Sequence, residues 1–255
     1  MKRYKHSGSM GDLIYSLPIV KHFGGGEFYL HLNQINWIGK HYYNSQPDPF
    51  HRDRLNQDDF EFMYDFMSQL PYINKFDILS KDIEITHNLD RFRPAFVGHP
   101  CNYIDLYCTT FKINDEQTKT TLRNTPWLSV QNPKTINNKT IVINRTERWL
   151  PKSLSQNWQL WREQGKEDQS IFLGLEKEYE LFKKSTGWDI PFQPTDTLLS
   201  LAEIIAGCTE FIGNQSQCLS LAVGLGKKFY CEARQDLPLE RNECYFPYHP
   251  NGTYF

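Results

Sequence analysis

The sequence predicts an α/β protein with a doubly wound parallel sheet, and two observations support this class. The N-terminal residues follow the pattern strand, helix, strand at 2–6, 12–23 and 27–32, which is how a parallel α/β unit begins. Strands and helices continue to alternate through the second half, where 140–144 is a buried apolar strand and 197–208 a strongly periodic helix. Such alternation along one chain is typical of a doubly wound sheet.

The same patterns predict the remaining elements. Helices are expected at 58–70, 102–111, 153–164, 176–184 and 216–225, and strands at 76–79, 170–174 and 210–213, with a final strand at 227–231. Residues 114–139 are polar and contain two prolines, so we place the domain boundary there. The chain then divides into domains 1–130 and 131–240, followed by a tail, 241–255, that can return to the N-terminal domain.

Composition excludes several classes of protein. A formal net charge of -2 gives no general attraction to nucleic acid or to an acidic membrane surface. The chain has no apolar run of about 18 residues and no apolar signal core at its N-terminus. We therefore expect no integral membrane contact and a cytoplasmic location, in a bacterium or a phage-infected cell. The six cysteines are scattered without a C-x-x-C pair, which favours inert, reduced thiols over disulfides or zinc.

A glycine-containing loop precedes the first helix, in the stretch HSGSMGD at 6–12. Gly8 and Gly11 permit backbone angles or close approaches that a Cβ would forbid. Asp12 follows the second glycine, so the loop carries one carboxylate to the start of the helix. An aspartate at such a turn serves either as a helix N-cap or as a functional acid.

A second notable stretch, at 211–227, ends a strand at Gly213 and begins a helix that Asn214 or Ser216 can cap. Free backbone N–H groups and the helix dipole then face the carboxyl end of the strand. That is where anionic phosphates bind in open α/β sheets. Taken alone the pattern is weak, because most such turns bind nothing.

Together the two stretches resemble glycosyltransferase family 9, the bacterial heptosyltransferases. SMGDLIYSLP at 9–18 is similar to the family's N-terminal loop, and LLSLAEIIAGCTEFIGNQSQCLSLAVGLGKK at 198–228 is similar to its C-terminal signature. The blocks stand in the family's order, and two strand–helix pairs, at 140–161 and 170–184, fall where its donor domain has them. The resemblance implies a GT-B fold, in which two Rossmann-like domains with parallel sheets face a central cleft.

The resemblance also implies an inverting, metal-independent glycosyltransferase that uses a nucleotide-diphosphate sugar as co-substrate and needs no other cofactor. The family's catalytic base maps to Asp12, whose carboxylate would take the proton of an acceptor hydroxyl. The first domain would bind the acceptor, a glycan or DNA. The loop residues Ser9, Met10 and Gly11 would line the acceptor side, and Arg91 and Arg93 are further acceptor-binding candidates, suited to a phosphate-bearing acceptor. No convincing D-x-D motif is present, so no metal site is expected.

The donor-binding residues implied lie after two strands of the second domain and are Arg145, Thr146, Arg148, Asn214, Gln215, Ser216, Gln217 and Ser220. The two arginines and the amides around Ser216 would stabilise the leaving nucleoside diphosphate without a metal. Gln215, Gln217 and Ser220 replace the Asp, Gly and His that are usual in the family signature. The identity of the donor sugar is therefore left open.

Two alternatives remain from the sequence. The first is a phage-type enzyme that glycosylates hydroxymethylated DNA bases, with the basic cluster at 51–54 and the pair Arg91 and Arg93 as a phosphate track. The overall charge argues mildly against it, because DNA binding relies on neutralising phosphates. The second is a non-catalytic protein that binds sugar nucleotides.

Overall fold

A computed structural model describes residues 1–34, 55–92, 102–147, 150–233, 249 and 251–255. Backbone contacts divide the chain into two compact units. The first contains the described residues up to Phe92 together with Tyr103–Arg123, and the second contains Asn102 and the described residues from Asn124 onward.

The first unit is an α/β layer around a four-stranded parallel sheet with the order β3-β2-β1-β4. Its strands are β1 (Arg3–His6), β2 (Gly26–Leu30), β3 (Ile73–Ile78) and β4 (His87–Asn88). Its helices are α1 (Met10–His22), α2 (Gln57–Ser68), α3 (Tyr103–Thr110) and α4 (Glu116–Asn124), with a 3-10 turn at Leu89–Phe92. The strand and helix expected at the N-terminus are confirmed.

Helix α1 ends at a run of three glycines for a physical reason. Gly24 and Gly25 have φ values of +84° and +76°, which side chains rarely adopt. A Cβ on Gly25 would lie 2.2 Å from the carbonyl oxygen of Tyr72, so the close approach of the two backbones requires glycine. The chain can therefore reverse at once and enter β2.

The second unit contains a six-stranded, wholly parallel sheet with the order β10-β9-β8-β5-β6-β7. Its strands are β5 (Ile141–Asn144), β6 (Ser170–Leu173), β7 (Phe192–Gln193), β8 (Glu210–Gly213), β9 (Lys228–Cys231) and β10 (Gly252–Tyr254). Its helices are α5 (Asn157–Glu163), α6 (Glu176–Thr186), α7 (Leu198–Gly207) and α8 (Gln217–Gly224). Two wholly parallel sheets confirm the predicted α/β class.

Aromatic rings fill the core of the second unit on one side of its sheet. Trp158 packs edge-on against Trp161, Phe182 and Trp188, with centroids 5.4–5.6 Å apart. Edge-to-face pairs of this kind add to the free energy gained from burying the rings. The high aromatic content of the chain thus has a structural use here.

The structure corrects three expectations. Helix α4 lies in the polar stretch predicted as a boundary, and it was missed because none of its residues is buried. Its start is held by Asp115, which accepts a hydrogen bond from the N–H of Thr118 at 2.7 Å. Helix α5 begins at Asn157, later than predicted. Strand β9 is not the last, because β10 pairs with it.

The described end of the C-terminal tail belongs to the second sheet, and a return of the tail to the N-terminal domain stays a prediction. Gly252 pairs with Phe229, so β10 extends the second sheet. The ring of Phe255 lies 4.8 Å from that of Trp161, which anchors the last residue in the aromatic core. Strand pairing and apolar burial thus both hold the described end of the tail in the second unit.

The four described cysteines, Cys108, Cys208, Cys218 and Cys231, are free and buried. Burial raises the pKa of the Cys208 thiol to about 11 and that of Cys108 to about 12. These thiols therefore stay protonated at neutral pH and are poor nucleophiles. Cys101 and Cys244 lie outside the described residues.

Candidate functional site

The second sheet contains a topological switch point between β5 and β8. From β5 the chain adds β6 and β7 on one side, and it then adds β8, β9 and β10 on the other. In open α/β sheets, ligands bind outside the carboxyl ends of the strands at this point. The loops that begin at Arg145 and at Asn214 both start there, so the topology brings the two groups of predicted donor-binding residues together.

Asn214 joins these two loops. Its side chain is fully buried, and its Oδ1 accepts hydrogen bonds from the backbone N–H of Thr146 at 2.8 Å and from the Thr146 hydroxyl at 3.2 Å. Its Nδ2 donates to the carbonyl oxygen of Thr146 at 2.7 Å. The structure therefore gives Asn214 and Thr146 a role in shaping the loops, in addition to any contact with a ligand.

The amino end of α8 faces the same edge of the sheet. Ser216 is the N-cap, and its Oγ accepts a hydrogen bond from the N–H of Leu219 at 3.2 Å. Gln215 and Gln217 are half-buried beside it, and the buried Nε2 of Gln215 has no hydrogen-bond partner within the described structure. Ser220 is different, because it is fully buried and its hydroxyl donates to the carbonyl oxygen of Gln217 at 2.7 Å. The Ser220 hydroxyl proton is thus used within its own helix, and a contact of Ser220 with the donor stays a prediction.

Arg145, another predicted donor-binding residue, has a partner within the protein. Its side chain is only 4% exposed and forms a bidentate ion pair with Glu232, with Nε–Oε2 at 2.5 Å and Nη2–Oε1 at 3.2 Å. Ser185 accepts a further hydrogen bond from Nη1, and Trp158 donates one to Glu232. A buried guanidinium needs such a partner, because an isolated charge is costly in a low-dielectric interior.

The guanidinium of Arg145 is thus bound within the protein, and its contact with a donor phosphate stays a prediction. Glu147, two residues further, is half exposed, with a side-chain exposure of 52%. Arg148, the other predicted cation of this loop, lies outside the described residues.

Sequence reasoning missed a further group of side chains at this edge. Asn144, the last residue of β5, is 2% exposed, and its Nδ2 donates to the carbonyl oxygen of Leu173 at 2.8 Å. Its buried Oδ1 has no partner among the described residues. Glu178 approaches from α6 and accepts a hydrogen bond from the N–H of Leu175 at 3.1 Å. Burial raises the pKa of the Glu178 carboxyl above its ordinary value.

Gly174 allows these side chains to come together. It has a φ of +145°, and a Cβ there would lie 2.9 Å from Asn144 Nδ2 and 3.0 Å from Glu178 Oε2. The G-L-E sequence after β6 ends in Glu176, so the local sequence draws attention to Glu176 and gives no signal for Glu178. Glu176 is an exposed acid in the first turn of α6.

The first sheet has a switch point of its own, between β1 and β4. Asp90 follows β4 and binds the first residue after β1. Its Oδ1 accepts a hydrogen bond from the N–H of Ser7 at 2.9 Å, and its Oδ2 accepts one from the Ser7 hydroxyl at 2.8 Å. Lys5 lies 3.3 Å from the same carboxylate. No sequence signal pointed to Asp90, because β4 has only two residues.

The loop from Ser7 to Ser9 leads directly into α1. Ser9 is the N-cap, with its Oγ 3.5 Å from the N–H of Asp12. The capping alternative for Asp12 is therefore wrong, because Ser9 occupies that position. Asp12 lies half-buried in the first turn, where the helix dipole favours a negative charge.

A buried chain of hydrogen bonds fixes the backbone of Asp12. The Nδ1 of His6, a fully buried side chain, accepts a hydrogen bond from the N–H of Gly8 at 2.9 Å. The imidazole therefore carries its proton on Nε2, which lies 3.2 Å from the hydroxyl of Tyr107. That hydroxyl donates to the carbonyl oxygen of Asp12 at 2.9 Å. The strand, the loop and helix α3 thus position the acid together.

The predicted acceptor-binding residues of the described structure lie at this same edge. Met10 and Gly11 are half-buried in the first turn of α1. Arg91 is exposed in the turn after β4. Arg93 and the basic cluster at 51–54 lie outside the described residues.

The described ranges contain no group of three or more His, Cys, Asp or Glu side chains that could hold a metal ion. They also contain no helix that is long and apolar enough to cross a membrane.

The whole chain superposes on solved glycosyltransferases. A family 9 glycosyltransferase from Veillonella parvula matches with a TM-score of 0.63 at 10% identity, over 100% of this chain and 85% of that one. The fold is that of the family 9 glycosyltransferases. In the same fold, E. coli heptosyltransferase WaaC with ADP matches with a TM-score of 0.53 at 12% identity, over 100% and 92% of the two chains.

E. coli ADP-heptose LPS heptosyltransferase II also has this fold, with a TM-score of 0.56 at 11% identity, over 100% of this chain and 90% of that one. No protein-family model and no curated protein sequence matches the chain. At these identities the likeness establishes the family 9 fold, and the chemistry is argued from the residues.

Proposed function

We propose that the protein is an inverting, metal-independent glycosyltransferase that transfers a sugar from a nucleotide-diphosphate sugar to an acceptor hydroxyl. The observation that carries this proposal is the position of Asp12, in the first turn of α1, directly after a loop that Asp90, His6 and Tyr107 hold in place. A general base needs this kind of fixed support, because proton transfer depends on close geometry. The fold and the names of its solved neighbours, which include ADP and ADP-heptose, support the same reaction class.

In the proposed reaction the Asp12 carboxylate takes the proton of the acceptor hydroxyl as its oxygen attacks the anomeric carbon. The new carbon–oxygen bond forms while the bond between that carbon and the diphosphate oxygen breaks. The electron pair leaves with the nucleoside diphosphate, and attack from the opposite face inverts the anomeric centre. The first unit would bind the acceptor and the second unit the donor. The central cleft expected between them stays a prediction.

Uncharged groups of the second unit would carry part of the leaving-group stabilisation. The amino end of α8 presents backbone N–H groups and the positive end of its dipole. Gln215 has a buried amide nitrogen that can donate to a phosphate oxygen. Arg148 stays the proposed cation of this site, because Arg145 is paired with Glu232. Gln215 and Gln217 depart from the family signature, so the proposal does not specify heptose.

The test measures hydrolysis of a panel of UDP-, GDP-, ADP- and CDP-sugars, in which water replaces the acceptor. We expect one donor to be hydrolysed, and Asp12→Asn to lower that rate by about 10²–10⁴-fold. Asp65→Asn, which changes an exposed carboxylate of α2 in the same way, is the control and should leave the rate unchanged. If a nucleotide raises the thermal stability while no donor is hydrolysed, the protein is the non-catalytic binder of the alternative.

A further inference from the structure

His31 lies at the carboxyl edge of the first sheet, directly after β2. Its N–H donates to the carbonyl oxygen of His6 at 3.0 Å, and His6 pairs with Leu30 in the parallel register. His31 therefore stands beside Ser7, where the loop that carries Asp12 begins. No sequence pattern singled out this residue.

The ring of His31 has an unsatisfied polar atom. Its Nδ1 is buried and has no hydrogen-bond partner within the described structure. Leaving such a group unpaired costs about 1–3 kcal/mol, so buried polar atoms without partners are rare in folded proteins and call for an explanation. The mechanism proposed above does not use this nitrogen.

The surroundings keep the ring neutral. Burial lowers the pKa of His31, and the charge of Lys5 acts in the same direction, while Asp90 opposes it. Lys5 and Asp90 form an ion pair with each other at 3.3 Å. A neutral imidazole can accept a hydrogen bond from a hydroxyl or donate one to it, but it has no charge with which to attract a phosphate.

The position of His31 also indicates a ligand. In the dinucleotide-binding members of doubly wound sheets, an Asp or Glu about 20 residues after the glycine turn hydrogen-bonds a ribose hydroxyl of the ligand. His31 follows Gly11, in the first turn of α1, by about this spacing and stands directly after β2, so a hydrogen-bonding ring occupies the comparable place. Topology and the unpaired nitrogen therefore point to the same kind of group.

We infer that His31 is an acceptor-binding residue whose Nδ1 forms a hydrogen bond with a hydroxyl of a neutral saccharide acceptor. This inference rests on the proposed function, and it adds a specificity residue and a substrate class to it. The saccharide would lie along the edge of the first sheet, with one hydroxyl at Asp12 and another at His31. A DNA acceptor is the competing occupant, and the titration below separates the two.

The first arm of the test uses NMR on the whole protein and needs no turnover. Methyl glycosides of glucose, galactose and mannose are titrated into ¹⁵N-labelled protein, and the ring nitrogens of His31 are followed. We expect the Nδ1 signal to move with at least one glycoside and to stay unchanged with nucleotide alone. If the Nδ1 signal shifts with duplex DNA but with none of the glycosides, the inference is overturned.

The second arm uses variants with the hydrolysed donor and the glycoside that binds. His31→Asn keeps an amide near the position of Nδ1 and should leave the glycoside KM within about twofold, whereas His31→Gln places its amide near Nε2 and should raise this KM about three- to tenfold with kcat little changed. His22→Gln, on the exposed end of α1, is the control.

The two arms separate the failure of the inference from the failure of the proposed function. Equal KM values for His31→Gln and His22→Gln would overturn the inference while donor hydrolysis that depends on Asp12 still stands. Absence of hydrolysis of every donor would remove the proposed function. The titration would still report whether a saccharide binds at His31.

Discussion

Asn214 accepts hydrogen bonds from both the backbone N–H and the hydroxyl of Thr146. Asp90 binds the N–H and the hydroxyl of Ser7 in the same way in the first sheet. In the second sheet, Asn214 directly follows β8 and Thr146 lies in the loop after β5. In the first sheet, Asp90 lies in the turn after β4 and Ser7 directly follows β1. In each sheet, one short polar side chain thus joins the two loops that follow the strands at the switch point.

This arrangement predicts a large effect for a change at Asn214. Asn214→Ala removes three hydrogen bonds and leaves buried backbone groups of Thr146 unpaired, so we expect the free energy of unfolding to fall by about 2–4 kcal/mol. Thr146→Val removes one of the three and should cost about 1 kcal/mol. Urea unfolding measures both. Asn124→Ala, at an exposed helix end, should stay within about 0.5 kcal/mol of the parent.

Removing one partner of the buried ion pair between Arg145 and Glu232 should destabilise the protein strongly, whereas replacing both residues with apolar ones should destabilise it little. Glu232→Gln leaves the guanidinium without its counter-charge, so we expect the free energy of unfolding to fall by about 3–5 kcal/mol. The double variant Arg145→Met, Glu232→Leu should recover most of this loss, because it removes both charges.

A double-mutant cycle by chemical unfolding measures the coupling between Arg145 and Glu232. The exposed pair of Lys177 and Glu147, at 3.2 Å, is the matched control. Glu147→Gln should change stability by about 0.5 kcal/mol or less. A similar loss in Glu147→Gln and Glu232→Gln would contradict the role of burial.

Gly174 lies against the side chains of Asn144 and Glu178, and Gly165 is a matched control position without such neighbours. Both have a positive φ, but a Cβ on Gly165 meets nothing within 4 Å. Gly165→Ala should therefore cost only about 1–2 kcal/mol of backbone strain. Gly174→Ala adds a clash with both side chains, so we expect a loss larger by about 1–3 kcal/mol. We also expect a loss of nucleotide-dependent stabilisation in a thermal-shift assay, and equal behaviour of the two variants would show that the edge tolerates a Cβ.

The raised pKa of Glu178 predicts how its variant behaves with pH. A carboxyl whose pKa is higher in the folded state than its ordinary value of 4.5 binds its proton more tightly when folded. Its contribution to stability is therefore largest in acid and falls as the pH rises from the unfolded to the folded pKa.

Glu178→Gln removes this penalty, so the variant should be more stable than the parent at pH 7 and equal to it below about pH 4. Urea unfolding at both pH values measures the difference. Glu180→Gln, an exposed position of the same helix, should show no such crossover. A constant difference across the range would mean that Glu178 titrates normally.

Apolar periodicity predicted most of the fold. Strand β5 and helix α7 are almost continuous in apolar residues, so burial determines both their type and their limits. Helix α4 could not be found in this way, because charged side chains such as Arg123, bound to Asp105 and Glu116, hold it on the surface.

The candidate site was predictable as a set of loops but not as a set of contacts. The loops after β5 and β8 meet as expected, because parallel strands end at one edge. The partner of Arg145 is Glu232, which is distant in sequence, so nothing local indicates that the guanidinium is already bound. The same holds for Asp90 and Ser7, whose contact exists only once β4 pairs with β1.

The aromatic packing of α3 against its neighbours has a consequence for the acid. Tyr15 of α1 stacks on Tyr103 at 4.7 Å, and Phe92 stacks on Tyr107 at 4.6 Å. The hydroxyl that holds the Asp12 carbonyl is therefore part of a rigid block rather than of a loop. The entropy lost in ordering the Asp12 backbone is therefore part of the free energy of folding. Substrate binding does not have to order that backbone.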